Sequence, residues 1–148
     1  MQISDILTPD RVACDVDLQS KKAALETLAQ MVADAAETLT RSEVFDSLLA
    51  RERLGSTGLG HGIALPHGRL KGGEHTLGAF IRLRAGVDYD AIDHAPVDLV
   101  FALLVPEQAT DEHLKILAML AEKFSADGFL QKLRRETTAE GIYKLLVE

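Results

Sequence analysis

Five histidines occur in the chain, at positions 61, 67, 75, 94 and 113, and only His67 has neighbours that constrain how its ring is presented. Pro66 fixes its own backbone φ and biases Leu65 toward extended geometry, while Gly68 permits a turn directly after the histidine. The pattern predicts an imidazole held on a rigid turn at the end of a short strand. A neutral imidazole has a free lone pair near pH 7 and can both attack and depart, so an exposed one can serve as a covalent nucleophile. On local chemistry alone, a turn histidine without a role is the competing reading.

Phosphoryl transfer asks the protein mainly for positioning and for cations or hydrogen-bond donors around the three equatorial oxygens. Arg51 and Arg53 lie shortly before His67, and a guanidinium fork matches phosphate oxygens. Either arginine can equally be a cation at a helix C-terminus, which by itself stabilises by about 0.3–1 kcal/mol. The backbone from Gly58 to Gly62 is a candidate anion-binding concavity of N–H donors. His113 falls in the first turn of a predicted helix, where donors and the helix dipole favour an anion; a surface histidine on an amphipathic helix accounts for it as well.

Other chemistries have less support. His61 and His67 could join a carboxylate elsewhere in a metal site, and so in a metal-dependent hydrolase, but no ligand spacing favours it, and we expect neither metal nor cofactor. The phosphate-cradling loop of nucleotide hydrolases fails because the glycines Gly55 and Gly60 are followed by His61-Gly62 instead of Lys and Ser or Thr. A dinucleotide fingerprint lacks its third glycine, and the serine elbow of hydrolases is absent. Asp88, Asp90 and Asp93 omit the glycine and terminal glutamate of a calcium loop and read as turn residues; His75 and His94 read as surface loop residues.

The elements that must position these groups follow from periodicity. Leu25, Leu28, Ala29, Val32 and Ala36 recur at helical spacing behind a Ser20 cap, predicting a helix over 20–36. Thr40 to Glu43 reads as a capping box opening a second helix to about Arg53, which Gly55 stops. Residues 55–68 contain five glycines and a proline, predicting a loop with one short strand over 63–65. A strand is expected over 76–83, and the apolar run from Val97 to Val105 reads as a central strand buried on both faces, broken at Pro106. Thr110 or Asp111 should cap a helix to about Phe124, followed by helices over 127–134 and 139–147, the last behind a capping box from Thr137 to Glu140. Strands interleaved with helices indicate an α/β architecture.

The chain of 148 residues suits one domain spanning 1–148 with one core, and no repeat or linker divides it. Its net charge of -7 argues against a nucleic-acid partner. A lone cysteine, Cys14, cannot form an internal disulfide, and no apolar run approaches the ~20 residues of a membrane span. A cytoplasmic protein without membrane insertion is expected.

The segment Arg51-Glu-Arg-Leu-Gly-Ser-Thr-Gly-Leu-Gly-His-Gly-Ile-Ala-Leu-Pro-His67-Gly-Arg closely resembles the active-site segment of the fructose/mannitol-type IIA domains of the bacterial phosphotransferase system, most of all their nitrogen-regulatory branch. Tyr89 to Pro106, His113-Leu-Lys-Ile-Leu and the opening Ile3-Ser-Asp-Ile-Leu extend the resemblance over nearly the whole chain. It implies an α/β sandwich with a mixed β-sheet covered by helices, His67 as the phosphorylated residue, and Arg51 and His113 beside it. Arg53 has no matching role, and His61 stands where relatives often have asparagine or an acidic residue. The resemblance further implies a histidine phosphocarrier donor, HPr or its nitrogen-branch counterpart, charged by an enzyme I that uses phosphoenolpyruvate. Two functions follow: a phosphorylation-switched regulator of target proteins such as kinases or potassium transporters, which we prefer, or a sugar-specific relay to a separate IIB domain. Neither the oligomeric state nor the His67 nitrogen that carries phosphate is readable from residues.

Overall fold

The computed structural model describes residues 1–109 and 111–148. A short helix α1 (Ile3–Ile6) and a 3-10 turn (Pro9–Arg11) lead into strand β1 (Val12–Val16). Helices α2 (Lys21–Ala33) and α3 (Arg41–Glu52) follow, then β2 (Gly58–Gly60), β3 (Ile63–Ala64), β4 (His67–Leu70), β5 (Leu77–Val87) and β6 (Val97–Pro106). Helices α4 (Asp111–Ser125), α5 (Phe129–Arg135) and α6 (Ala139–Val147) complete the chain.

Among the described residues, six strands form one mixed sheet in the order β1-β5-β6-β3-β2, with β4 also paired to β6. Strand β6 is its centre, antiparallel to β5 on one side and parallel to β3 and then β4 on the other. The alternation of side chains along a strand divides its apolar run between two cores. Val100, Ala102 and Leu104 pack with α2 and α3, whereas Leu99, Phe101, Leu103 and Val105 pack with α4, α5 and α6. The expected α/β sandwich with helices over a mixed sheet is the observed fold.

The glycine-rich stretch departs from expectation. It holds three short strands where one was predicted, because β6 supplies hydrogen-bond partners to β3 and β4, and β3 to β2, that outweigh the local preference of glycine for turns. The register against β6 is the same at Ile63–Leu99 and at His67–Leu103, so β3 and β4 are one strand interrupted at Leu65-Pro66, where proline has no N–H to give the ladder. His67 therefore begins a strand instead of ending one, and Gly68 does not turn. Its role is close approach: a Cβ there would lie 3.0 Å from the backbone carbon and oxygen of Ser47 on α3.

The caps also differ in detail. Ser20 and Thr40 cap α2 and α3 as expected, accepting from Ala23 N and Glu43 N. The Glu43 carboxylate, however, accepts from the Thr40 hydroxyl at 2.9 Å, so only half of the predicted box forms. Helix α6 is capped by Thr138, which accepts from Gly141 N at 3.0 Å, instead of Thr137. Thr110, one proposed cap of α4, lies outside the described residues, and Asp111 is the first helical residue instead of the cap. The elements before Ser20 were not anticipated; they are anchored by buried Arg11, whose guanidinium donates to the Gly78 and Ile6 carbonyls.

Candidate functional site

Among the described residues strand β4 pairs only with β6, so its other side is an edge of the sheet. Helices α3 and α4, from opposite faces, meet beside that edge around a cleft of about 500 Å³ lined by Arg51, Leu54, His67, Gly68, Arg69 and His113. Ser47 covers part of the edge by donating its hydroxyl to the Arg69 carbonyl at 2.7 Å. The three residues expected to act together, Arg51, His67 and His113, do share this cleft.

His67 is half-buried, and its Nδ1 lies 2.9 Å from the Leu65 carbonyl. A carbonyl only accepts, so Nδ1 carries the proton and the neutral ring presents its lone pair on Nε2. The Leu65 N–H donates away from β6, to the Thr57 carbonyl at 3.0 Å, while the Pro66 carbonyl stays paired with Leu103 N of β6; the Leu65 carbonyl therefore faces the side of the strand away from β6, where it meets the His67 ring. Burial pushes the His67 pKa down; the Leu65 hydrogen bond opposes this, Arg51 adds to it and Glu52 opposes it. The net shift keeps the imidazole neutral and nucleophilic near pH 7.

His113 sits in the first turn of α4 and is only 7 % exposed, so the surface reading of this residue is wrong. Its ring centroid is 5.5 Å from that of His67, with the planes tilted by 53°. Burial, and then the neighbouring His67 and Arg69, lower its pKa. Its Nδ1 is buried and has no hydrogen-bond partner among the described residues. The Arg51 guanidinium is steadied by the Gly55 carbonyl at 2.9 Å.

Other candidates fall away. Arg53 is exposed and does not line the cleft, consistent with a cation at the end of α3. The backbone of Gly58 to Gly62 is consumed elsewhere: Gly58 N–H donates to Ser56, His61 N–H donates to Asp93 at 2.9 Å, and the Gly62 carbonyl accepts from Asp98 and Leu99. It forms no anion nest at His67. His61 is an exposed residue with φ of 59°, outside this cleft, and the β3–β4 segment separates it from His67 by about 13 Å of strand. Among the described residues no cluster of three or more His, Cys, Asp or Glu is placed to hold a metal ion. Asp88 and Asp93 do accept local backbone N–H groups, as turn residues do.

Two residues escaped the sequence reading. Arg69 follows His67 by two positions on a strand, so it shares its face and reaches the same cleft; strand periodicity could have found it had β4 been recognised. Glu52 is buried under the site in a polar cluster with Lys21, Thr57 and Tyr89, and nothing local marks it.

The family model described as phosphoenolpyruvate-dependent sugar phosphotransferase system, EIIA 2, matches residues 5–148. The chain belongs to this family. A family member from Pseudomonas aeruginosa, named nitrogen regulatory protein, is 45% identical over 148 residues, covering 100% of this chain and 96% of the relative. The crystal structure of nitrogen regulatory protein IIA-Ntr from Neisseria meningitidis matches with a TM-score of 0.91 at 43% identity, covering 97% of this chain and 98% of that one. A fructose-specific EIIA component from Haloferax volcanii is 31% identical over 151 residues, covering 100% of this chain and 98% of the relative. The chain is thus a IIA protein of the phosphotransferase system whose nearer relatives here carry the nitrogen-regulatory name. No helix among the described residues is long and apolar enough to cross a membrane.

Proposed function

We propose that this chain is a regulatory phosphocarrier in which His67 Nε2 accepts a phosphoryl group from an HPr-like histidine phosphocarrier and the phosphorylated form changes its binding to target proteins. The observation that carries the reading is the Nδ1 contact to Leu65 beside two cationic side chains, which leaves one aimed lone pair in an electropositive cleft of an otherwise acidic protein. In the transfer, a P–N bond forms at His67 Nε2 as the donor's P–N bond breaks, and the donor imidazole recovers its lone pair. Arg51 stabilises the charge spread over the equatorial oxygens. With no acceptor for His113 Nδ1 among the described residues, that ring can carry its proton on Nε2 and donate it to a phosphoryl oxygen.

The added charge of about -1.5 to -2 is the switch. Kinases and potassium transporters are the class of target that the nitrogen-branch likeness supports, and the cytoplasm is the compartment where such a donor and such targets meet. The second reading, a sugar relay to a separate IIB domain, draws on the fructose-specific relative, which is less similar than the nitrogen-regulatory ones.

Incubation with phosphoenolpyruvate, enzyme I and a carrier protein, followed by intact-mass analysis, should show an acid-labile gain of one phosphoryl group that is lost in His67→Ala. No gain in the wild type refutes the carrier function. Charging of IIB partners by the phosphorylated form would replace the regulatory reading with the sugar relay.

A further inference from the structure

Glu52 is the residue after Arg51, its side chain is 3 % exposed, and it stands in an ion pair with Lys21 Nζ at 2.8 Å. Its carboxylate accepts from the Thr57 N–H at 3.2 and 3.3 Å, from the Thr57 hydroxyl, and from the Tyr89 hydroxyl at 3.1 Å. Lys21 also lies 4.4 Å from the Tyr89 ring centroid and donates to the Tyr89 carbonyl. Replacing such a buried pair with apolar side chains of similar volume is often neutral or stabilising, so stability alone is a weak reason for it.

Two hydrogen-bonded arms run from Glu52 to the phosphoryl site. In the first, the carboxylate holds Thr57, the Thr57 carbonyl accepts the Leu65 N–H at 3.0 Å, and the Leu65 carbonyl accepts the His67 Nδ1–H at 2.9 Å. In the second, the Glu52 carbonyl accepts the Gly55 N–H at 3.1 Å, and the Gly55 carbonyl accepts the Arg51 guanidinium at 2.9 Å. The carboxylate pins residues 52–57 from within, and both arms depend on where that turn sits.

We propose that Glu52, paired with Lys21, is a positioning residue that sets the His67 tautomer through Thr57 and Leu65 and the place of the Arg51 guanidinium through Gly55. The inference rests on His67 being the phosphoryl acceptor, and it adds a residue that touches neither phosphate nor donor. The groups that act on His67 are Arg51 and Glu52 from α3 and His113 from α4, with Arg69 of β4 acting on His113; Lys21 of α2 and Tyr89 act on Glu52.

The test uses Glu52→Gln, which keeps the shape and removes the charge, and Lys21→Met, which strands the carboxylate. Nitrogen-15 NMR of the unphosphorylated proteins reads the His67 tautomer and titration midpoint, and transfer from the charged carrier reads function. Expected in each variant are a smaller Nδ1–H population and transfer slowed roughly ten- to hundredfold, the cost of misplacing reacting groups by a fraction of their contact distance. The His67 midpoint should fall in Glu52→Gln, because a negative charge has been removed, which a purely structural role would not require. Wild-type tautomer, midpoint and rate in folded variants overturn the proposal. Should Glu52→Gln fail to fold, Tyr89→Phe removes one donor to the carboxylate, and an unchanged His67 tautomer there and in Lys21→Met overturns it equally. A wild type that accepts no phosphoryl group refutes the carrier reading instead, while the tautomer measurement still judges the arm from Glu52.

Discussion

Substituting Gly68 with alanine tests whether close packing of β4 on α3 builds the proposed phosphoryl site. The new Cβ would sit 3.0 Å from both the backbone carbon and oxygen of Ser47, where ordinary contacts begin at 3.4 Å. Ser47 cannot rotate the clash away, because its backbone is part of it and its hydroxyl is engaged with the Arg69 carbonyl. Strand β4 is tied to β6 from His67–Leu103 to Leu70–Pro106, and α3 is anchored by buried Val44 and Leu48, so neither side yields freely. Overpacking of this kind costs about 1–3 kcal/mol. Relief of the conformational freedom of glycine in the unfolded chain returns about 0.5–1 kcal/mol, leaving a net loss of about 1 kcal/mol at the middle of both ranges and about 2.5 kcal/mol at most. For a chain of this size the mid-range loss lowers Tm by roughly 2–4 °C. Thermal and urea unfolding measure the loss, and the transfer rate should fall with it, because any shift of α3 carries Arg51 away from His67. A variant as stable as the wild type and as fast in transfer would refute the idea that this contact sets the cleft.

Arg51→Ala should slow phosphorylation of His67 by roughly a hundredfold, the scale of losing one donor to transition-state charge, while stability stays within about 0.5 kcal/mol because the side chain lies at the cleft surface; unchanged kinetics contradict the role. His113→Gln should act in the same direction, more mildly, in the same transfer assay. Both site histidines have pKa values depressed by burial, so between those values and the ordinary 6.5 the unfolded chain binds more protons. Stability should therefore decline as pH falls below about 6.5 and level off once the native pKa values are passed; urea midpoints from pH 7.5 to 5 should lose part of that slope when His67 and His113 are both replaced by glutamine. Thr138→Ala should cost about 1 kcal/mol while Thr137→Ala costs less than about 0.5 kcal/mol, and equal losses in denaturant titrations would reject Thr138 as the cap.

Residues whose structure depends on near neighbours were readable directly. The caps at Ser20 and Thr40, the apolar stripe of α2 and the doubly buried β6 all follow from local chemistry and periodicity. Thr137 was chosen over Thr138 because the Glu140 pattern favoured it, whereas the observed frame is the one that buries Ile142 and Leu146. Residues 55–68 read as a loop with one short strand because glycine is a local breaker; the partner that makes strands of Ile63–Ala64 and His67–Leu70 lies more than thirty positions away in β6, and Gly58–Gly60 pairs in turn with β3. Strand β1 went unread because its short sequence mixes valine with alanine, cysteine and aspartate, and only the parallel ladder to β5 gives it an extended partner.

The chemistry proposed for this chain was readable from residue types: an imidazole between proline and glycine, guanidinium groups nearby, and no ligand set that spacing marks for a metal. Which groups meet was decided by the tertiary structure alone. An edge strand caught between two helices brings Arg51 and His113 to His67, buries a histidine that looked exposed, recruits Arg69 and sends His61 elsewhere. The proposed choice of Nε2 also belongs to the folded chain, because a tautomer is selected by its hydrogen-bond partner, and the Leu65 carbonyl meets Nδ1 on the side of the strand that faces away from β6.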